Sequence, residues 1–343
     1  MKTHFYYIDK QEIKKRNSIQ INLPTFNSYE VTKNTIKKLF KQKGIKFDIL
    51  LIDNGTEDYK KLIKDFPEIN YVVLKENTGS SGAQRIGAEL ALKNKYEYII
   101  FTDNDAILLD DFGLLKMKQK LDSFPGLVAV VPSHTESFGV GFHKDFYIRS
   151  WSFHYLFVKS EVFKKTDLHN FYLFLYSDDL SLTLKLSSVG KVLVCGNVKY
   201  YHYGFNPKSL LNFYNYFYLR GLLYITFKEK NIKFSSRIMT IFNFFYKVFQ
   251  TVLYSIFLLD FSYIKTIFLA IMGFMDIRKN LAHLIPVNKY KWEEINGAEI
   301  NKKVGEYIDV SQKRLKLFLP LRRILIRSNY LNRNIYFELV KSR

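Results

Sequence analysis

Cysteine is almost missing from this sequence: Cys195 is the single cysteine among 343 residues. An internal disulfide needs two cysteines and a thiolate-based zinc site needs several, so the sequence excludes both. One cysteine is also typical of a reducing compartment, and a cytoplasmic location is expected. Cys195 itself is interpreted as a small buried side chain.

Long apolar runs without charges are missing as well. After residue 210 the sequence is rich in aromatic and aliphatic residues, but Lys247, Asp260 and Lys265 interrupt it. No uncharged stretch reaches the ~18 residues expected of a membrane span. Residues 1–16 are polar and charged without an apolar segment, so no secretory signal is predicted.

Acidic residues are few relative to basic ones. The chain has 52 Lys and Arg against 32 Asp and Glu, which gives a net charge of +20. Such a balance favours an anionic partner: a nucleic acid, a phosphorylated small molecule or an acidic membrane surface. The hydrophobic content of 48% excludes a disordered chain.

Short apolar runs alternate with helix-like segments in the first half of the chain. This alternation predicts an α/β fold with a parallel, doubly wound sheet. The predicted strands there are Ser18–Leu23, Phe47–Ile52, Tyr71–Leu74 and the run that ends at Asp103, and the predicted helices are Tyr29–Gln42 and Ala83–Leu92. Further along we predict a helix over Leu114–Leu121, strands over Leu127–Val131, Trp151–Val158 and Lys191–Cys195, and a loop over Ser137–Lys144.

The fourth strand delivers two acids to the carboxyl edge of the sheet, where open α/β sheets bind ligands. Residues i and i+2 of an extended segment point the same way, so Asp103 and Asp105 can face one site while Asn104 turns aside. Two carboxylates suit Mg²⁺ or Mn²⁺ that shares its ligands with a substrate phosphate. Taken alone, the pair is better explained as a solvated turn after a strand.

A glycine- and serine-rich loop, Asn77 to Gly82, precedes the second predicted helix. Its backbone N–H groups could approach a diphosphate closely, with Arg85 one turn into the helix. The spacing is neither that of a dinucleotide fingerprint nor that of a P-loop, so nicotinamide cofactors and ATP are disfavoured.

A second pair of acids, Asp178 and Asp179, opens a helix that runs to Leu186. Capping and the helix dipole explain acids at this position, and a general base is the functional alternative. His202 follows the next strand and could complete a metal site with Asp105. Aromatic residues commonly stack on sugar rings, which makes Trp151, His154 and Tyr176 candidate acceptor contacts. Core packing is the more common role of such aromatic residues.

Taken in order, these motifs resemble the family 2 inverting glycosyltransferases of the GT-A fold, and among them the rhamnosyl- and galactofuranosyltransferase-like branch. The motifs are Pro24-Thr25-Phe26-Asn27, Asp53-Asn54-Gly55, Asn77 to Gly82 with Arg85, Asp103-Asn104-Asp105, Ser177-Asp178-Asp179 and His202. The resemblance covers about Ser18 to Gly204. The helix after Asp179 departs from the family pattern, because Ser181 and Lys185 stand where an acid and an arginine are usual.

The resemblance implies a mixed GT-A sheet, a nucleotide-diphosphate sugar donor and a divalent cation, Mn²⁺ or Mg²⁺. It assigns Asp179 as the catalytic base with Asp178 as its neighbour, and Asp105 and His202 as metal ligands. The donor site would comprise Pro24, Thr25, Asn27, Asp53, Asn54, Asn77, Gly79, Gly82, Arg85, Asp103 and Asn104.

Beyond the catalytic region the sequence becomes helical, aromatic and basic. We predict a catalytic domain over residues 1–206 and a helical region over 207–343, with helices at Leu210–Phe227, Ser236–Leu259 and Tyr263–Met275. These helices would associate with an anionic membrane surface at its inner face, or with another subunit. The expected acceptor is a cell-surface polysaccharide or a lipid-linked glycan.

Other functions remain open at this stage. A sugar nucleotidyltransferase also uses an α/β sheet and acid-bound metal, but Pro24-Thr25-Phe26-Asn27 is not its usual Gly- and Arg-rich loop. The positive charge permits a nucleic-acid-binding protein, although no nucleic-acid-binding signature is present and no nucleic acid partner is expected. A relative that binds nucleotides without catalysis is the third alternative.

Overall fold

The computed structural model describes residues 7–10, 12–75, 77–134, 145–149, 154–170, 173–202, 211–258, 261–275 and 338–339. Three predicted features therefore lie outside the described residues: the loop Ser137–Lys144, the start of the strand at Trp151, and the basic segment after residue 275.

One mixed sheet forms the centre of the protein, with the strand order β1-β4-β3-β2-β5-β9-β7-β10-β8-β11 and β6 paired to β10. The strands are β1 Tyr7–Lys10, β2 Ile19–Thr25, β3 Asp48–Asp53, β4 Asn70–Leu74, β5 Tyr98–Thr102, β6 Ala106–Leu108, β7 Leu127–His134, β8 Phe146–Ile148, β9 Tyr155–Lys159, β10 Lys191–His202 and β11 Glu338–Leu339. The neighbours from β4 to β5 are parallel, as predicted. β9 lies antiparallel between β5 and β7, so the sheet is mixed, as the family resemblance implies.

The helices of the first half cover both faces of this sheet. They are α1 Tyr29–Leu39, α2 Asp58–Asp65, α3 Gly79–Lys93, α4 Gly113–Ser123 and α5 Asp178–Val189. Apolar residues of α1, α2 and α4 share one core with the strands, and those of α3 and α5 fill cores on the opposite face. The doubly wound GT-A arrangement is thereby confirmed.

Close packing of α3 on β2 explains why this strand carries buried amides. Gln20 donates hydrogen bonds to the Asn22 side chain at 2.7 Å and to the Gly87 carbonyl of α3 at 2.9 Å. A Cβ atom on Gly87 would lie 2.6 Å from the Asn22 side chain, so only glycine permits this approach. The contact fixes α3, and with it the loop that precedes α3, against the middle of the sheet.

Three further helices follow the sheet close to where the sequence predicts them: α6 Leu211–Phe227, α7 Phe234–Leu258 and α8 Ser262–Met275. None of the helices among the described residues is both long and apolar enough to cross a membrane. The helices α6, α7 and α8 pack against one another, and α6 also touches the segment before α5. The division at residue 206 stays a prediction.

A buried ion pair ties α5 to the turn that follows α6. The Lys185 ammonium lies 3.2 Å from the Glu229 carboxylate, and both side chains are buried. Ser181 donates a hydrogen bond to the same carboxylate at 2.5 Å, and Lys185 also donates to the Leu168 carbonyl at 2.8 Å. Ser181 and Lys185, the two departures from the family pattern, thus have a structural partner in Glu229.

Replacing Lys185 with Met should destabilise the protein strongly, because Glu229 would stay buried without a cation. The expected loss is about 3–5 kcal/mol in free energy of unfolding, measured by urea denaturation. The double variant Lys185→Met, Glu229→Met should lose less than the single variant, since no uncompensated charge remains. Lys60→Met, which breaks the exposed pair with Glu57, is the control and should change nothing measurable. A double variant no more stable than the single one would contradict this account.

Candidate active site

The pairing of β6 with β10 brings His202 to the acids that follow β5. His202 lies opposite Ala106 in this antiparallel pair, one residue from Asp105. The His202 Nε2 atom is consequently 3.1 Å from the Asp105 Oδ1 atom. The structure therefore brings together the two side chains that the resemblance assigns to the metal.

The antiparallel strand β9 brings a second histidine to the same place. Thr102, the last residue of β5, pairs with Tyr155, so His154 comes opposite Asp103. The Asp103 N–H donates to the His154 carbonyl at 3.2 Å, and His154 Nδ1 lies 2.5 Å from Asp103 Oδ2. The His154 ring also stacks on the His202 ring, with centroids 3.6 Å apart and planes inclined by 13°.

These side chains fit a divalent cation. Asp103, His154 and His202 each offer a ligand atom, and these atoms lie within 4.8 Å of one another. A set of carboxylates and imidazoles suits Mn²⁺ well. The His154 and His202 rings are stacked and nearly parallel, so their nitrogen lone pairs point in parallel directions and do not converge on one point. A single cation would therefore bind one of the two imidazoles unless a ring rotates. In the observed arrangement His202 lies beside Asp105, and His154 contacts both Asp103 and the His202 ring. The roles of Asp105 and His202 as metal ligands stay predictions.

Charge within this cluster shifts several pKa values. Burial alone would raise the pKa of Asp105, but the charge and hydrogen bond of His202, followed by the charge of His154, bring it below its usual range. Burial opposes protonation of His202, yet Asp105 and then Asp103 raise the pKa of this imidazole. Burial, with Asp105 and Asp103 nearby, raises the pKa of Tyr176 to about 12. The Tyr176 ring is therefore a neighbour of both carboxylates.

Two asparagines shape the loop that opens α3. The Asn54 side chain accepts from the Thr78 N–H at 2.8 Å and donates to the Gly79 carbonyl at 3.0 Å. Asn77 accepts from the Gly79 N–H at 2.8 Å. Gly79 has a φ of +71°, which favours glycine, and a Cβ atom there would lie 2.2 Å from the Phe174 carbonyl oxygen. The loop is thus built around Gly79.

The segment before α5 is held in a strained conformation beside this loop. Phe174, Tyr176 and Ser177 have positive φ values of 62°, 56° and 122°. Ser81 fixes the segment from the α3 side, because its N–H donates to the Phe174 carbonyl at 3.1 Å. Gly221 of α6 supports it from the other side, where an added Cβ atom would lie 2.5 Å from the Ser177 side chain.

This strained segment places the first two residues of α5 at the edge of the sheet. Asp178 is buried, whereas Asp179 is partly exposed. Burial and then the carboxylates of Asp179 and Asp103 raise the pKa of Asp178 well above its usual range, although its own backbone N–H and the Ser80 hydroxyl act in the opposite direction. The two pairs of acids therefore belong to one electrostatic site, and Asp179 is the member that a substrate could reach.

Several residues predicted for the donor site are engaged within the protein. Asp53 is fully buried and accepts from the N–H groups of Thr56 at 2.6 Å and Tyr59 at 2.9 Å. Arg85 donates to Glu89 and to the His169 carbonyl, both at 2.9 Å. Gly82 is buried in α3. Their contact with a donor stays a prediction.

The hydroxyls at the start of α1 form a second set of internal contacts. The Asn104 amide donates to Ser28 at 2.6 Å and to Thr32 at 2.9 Å, and Thr25 shares a hydrogen bond with Thr32 at 2.9 Å. Pro24 is buried in β2. Donor contacts of Pro24, Thr25 and Asn104 therefore also stay predictions.

A cavity of about 620 Å³ lies between the loops that follow β2 and β3, at the carboxyl edge of the sheet. Its lining includes Asn27, which the sequence assigns to the donor site, and it is otherwise formed by Phe26, Gly55, Thr56, Glu57, Asp58, Lys60 and Lys61. The lining combines an aromatic ring with two lysines and two acids, and Lys60 is paired with Glu57 at 2.6 Å. Sequence reasoning did not identify Phe26, Lys60 or Lys61 as site residues.

His154 is the other residue whose place the sequence analysis missed. The sequence groups it with Trp151 and Tyr176 as an acceptor contact, but its ring belongs to the Asp103 and His202 cluster. Trp151 lies outside the described residues, so its role stays a prediction. The contact of His154 with Asp103 follows from the register of β9 against β5, which the local sequence does not show.

The comparison with protein families identifies the catalytic region. Residues 21–174 match the sequence model of Glycosyl transferase family 2. This part of the chain is similar to the family 2 glycosyltransferases. This confirms the predicted enzyme class, a nucleotide-sugar-dependent glycosyltransferase of an inverting family. The rhamnosyl- and galactofuranosyltransferase-like branch is not distinguished by this match and stays a prediction.

Solved structures share the fold at low sequence identity. The S. aureus TarS 1–349 complex with UDP-GlcNAc is 14% identical with a TM-score of 0.56, over 76% of this chain and 81% of that one. The mannosyltransferase PcManGT from Pyrobaculum calidifontis, in complex with GDP-Man and Mn²⁺, is 13% identical with a TM-score of 0.51, over 81% and 82%. Against a longer S. aureus TarS chain, the match covers 67% of this glycosyltransferase and 43% of that chain, at 15% identity and a TM-score of 0.51. No curated protein matches the chain.

If His154 orients Asp103 for metal binding, its N–H should matter more than its ring. His154→Phe keeps a ring beside His202 but loses the donor to Asp103, and we expect Mn²⁺ affinity to fall by about tenfold or more. His154→Asn keeps an N–H donor at a similar position and should lose less. Calorimetric titration of Mn²⁺ into the two variants without donor substrate makes the comparison. Equal losses in both would contradict the orienting role.

The raised pKa of Asp178 predicts that its charge destabilises the metal-free fold as pH rises. The penalty is absent below the ordinary carboxyl pKa of about 4 and grows as pH rises through the higher folded-state value. Asp178→Asn should therefore raise the melting temperature relative to wild type at pH 8, with a smaller gain near pH 4. Thermal melts in chelator test this, with exposed Asp111→Asn as the control. A gain that increases toward acid would refute the prediction.

Proposed function

We propose that this enzyme transfers a sugar, with inversion, from a UDP- or dTDP-linked donor to a hydroxyl of a cell-surface polysaccharide or lipid-linked glycan. Galactofuranose and rhamnose are the sugars that the family resemblance suggests. The observation that supports the proposal most directly is the cluster of Asp103, His154 and His202, whose ligand atoms lie within 4.8 Å of one another. The charge of Asp103 also contributes to the raised pKa of Asp178 at the start of α5. A donor diphosphate and an acceptor hydroxyl could meet between these two groups of acids.

The donor would extend along the carboxyl edge of the sheet. Its nucleoside fits the cavity next to Asn27, where Phe26 offers a ring for stacking. Its diphosphate fits the end nearer Asp105 and His202, which would hold the cation together with Asp103. When bound, Mn²⁺ or Mg²⁺ supplies Lewis-acid stabilisation of the departing diphosphate.

Asp179 is the proposed base. It is partly exposed, while Asp178 beside it is buried and has a raised pKa. Asp179 accepts the proton of the acceptor hydroxyl as that oxygen attacks the anomeric carbon from the face opposite the leaving group. The bond between the anomeric carbon and the diphosphate oxygen breaks in the same displacement, so the configuration inverts and no covalent enzyme intermediate forms.

The acceptor is proposed to be presented at the inner face of a membrane, with the enzyme attached peripherally. Two features support this location: the net charge of +20, and the exposed aromatic side chains on the helices that follow the catalytic region. Tyr176, next to both carboxylates of the cluster, is the described aromatic residue best placed to contact the acceptor sugar.

A ligand screen tests the donor assignment. Thermal melts of the full chain are recorded with UDP- and dTDP-sugars, each with Mn²⁺, with Mg²⁺ and with chelator. A donor at a hundred times its dissociation constant should add about 2.7 kcal/mol of stability, and only when the cation is present. No response to any nucleotide sugar would refute the proposed function.

Two substitutions separate the proposed roles of the acids. Asp179→Asn should abolish transfer while donor affinity stays within about threefold of wild type, because the base acts in the displacement and not in donor binding. Asp105→Ala should instead weaken metal-dependent donor binding. Donor calorimetry and product formation are measured on both variants. Parallel loss of donor binding in Asp179→Asn would assign this residue to the donor site.

A further inference from the structure

The helices α7 and α8 each have one side on which large apolar residues are exposed. On α7 these residues are spaced by three, four or seven positions, which keeps them on one side, and the stripe continues on α8 and the residue before it. We call this surface the aromatic face; it comprises Phe234, Ile238, Phe242, Phe245, Phe249 and Ile256 of α7, Phe261 just before α8, and Phe268, Met272 and Met275 of α8, each exposed by 41–76%.

The inward side of α7 includes several buried polar residues, whereas that of α8 also buries Tyr263 and Ile267. On α7 the buried residues include Ser236, Thr240, Thr251 and Ser255. The Thr240 and Thr251 hydroxyls bond backbone carbonyls four residues earlier, at 2.7 and 2.8 Å, so they are satisfied within the helix. A helix with this pattern places its apolar side outward, which in water is unfavourable over so many large side chains.

The positive charge near the aromatic face indicates which kind of partner covers it. From residue 230 to 275 the sequence has five basic residues and one acidic residue, Asp260. Lys228, Lys230 and Lys233 are exposed in the turn between α6 and α7, and Lys265 is exposed within the α8 stripe. A second copy packed symmetrically on this face would bring these cations together without acidic partners. An anionic bilayer provides both an apolar layer and the opposite charge.

We propose that the aromatic face lies in the interface of an anionic lipid bilayer, with the phenylalanines among the acyl chains and the lysines at the headgroups. The inference deepens the proposed function and rests on it for the nature of the acceptor. The proposed contact also sets which side of the enzyme faces the bilayer. α6 lies against α7 and α8 while Gly221 of α6 touches Ser177, so one helix layer separates the aromatic face from Asp178 and Asp179.

Vesicle flotation with the full chain tests the proposal. Wild type should float with vesicles of phosphatidylcholine and phosphatidylglycerol. The variant Phe242→Ser, Phe245→Ser, Phe249→Ser should bind at least tenfold more weakly. The matched control Phe40→Ser, Phe112→Ser, which removes exposed phenylalanines near α1 and α4, should bind like wild type. Equal loss in both variants, or no flotation of wild type, would overturn the proposal.

Depth of insertion and self-association give a second, independent readout. Phe245→Trp should show quenching by acyl-brominated lipids beyond that of wild type, whereas Phe40→Trp should not. Light scattering without lipid should give a monomer. A dimer that the triple serine variant disrupts would assign the face to a second copy. Quenching in Phe245→Trp no greater than in wild type would show that another segment of the chain covers the face, and either result overturns the proposal.

Donor titration on the same preparations keeps this inference separate from the proposed function. Vesicle binding without any nucleotide-sugar binding would retain the lipid-facing surface and refute the glycosyl donor. Metal-dependent donor binding without vesicle binding would retain the proposed donor and overturn the surface.

Discussion

The site depends on two carboxylates held against two imidazoles at one end of the sheet. Asp103 and Asp105 follow β5, His154 precedes β9 and His202 ends β10. A shift of one residue in the register of β9 or β10 would move its histidine to the opposite side of the sheet, and the same shift in β5 would move its acids. The apolar cores on both faces of the sheet therefore fix the register and, through it, the positions of these four side chains.

Local sequence was sufficient to predict the elements that carry the acids. The apolar run before Asp103 and the paired acids of α5 lie where the sequence analysis put them, and α6 to α8 begin or end within two residues of their predicted bounds. The helix α3 begins at Gly79, four residues earlier than predicted, so the two glycines lie in its first turn. These features depend on patterns within one segment. Hydrophobic periodicity and turn residues report such patterns well.

What the sequence could not reveal depends on pairing between distant segments. β9 lies antiparallel between two strands of the parallel set, and its register decides that His154 meets Asp103. Ser181 and Lys185 stand out in the sequence only as departures from the family pattern. Their partner is Glu229, about forty residues further along the chain and buried just beyond the end of α6. Neither contact leaves a trace in local periodicity, because both arise from tertiary packing.

The acids of α5 illustrate how structure separates two explanations that the sequence left equal. Capping would account for acids in the first turn of any helix, but it does not require three residues with positive φ before them. Such strain persists only where the surroundings impose it. Here α3 binds Phe174 from one side and α6 crowds Ser177 from the other, and Glu229 just after α6 is in turn bound to Lys185 of α5. The helical layer is therefore part of what positions Asp178 and Asp179. A force that reorients α6, including one transmitted from α7 and α8, would act directly on the carboxylate proposed to be the base.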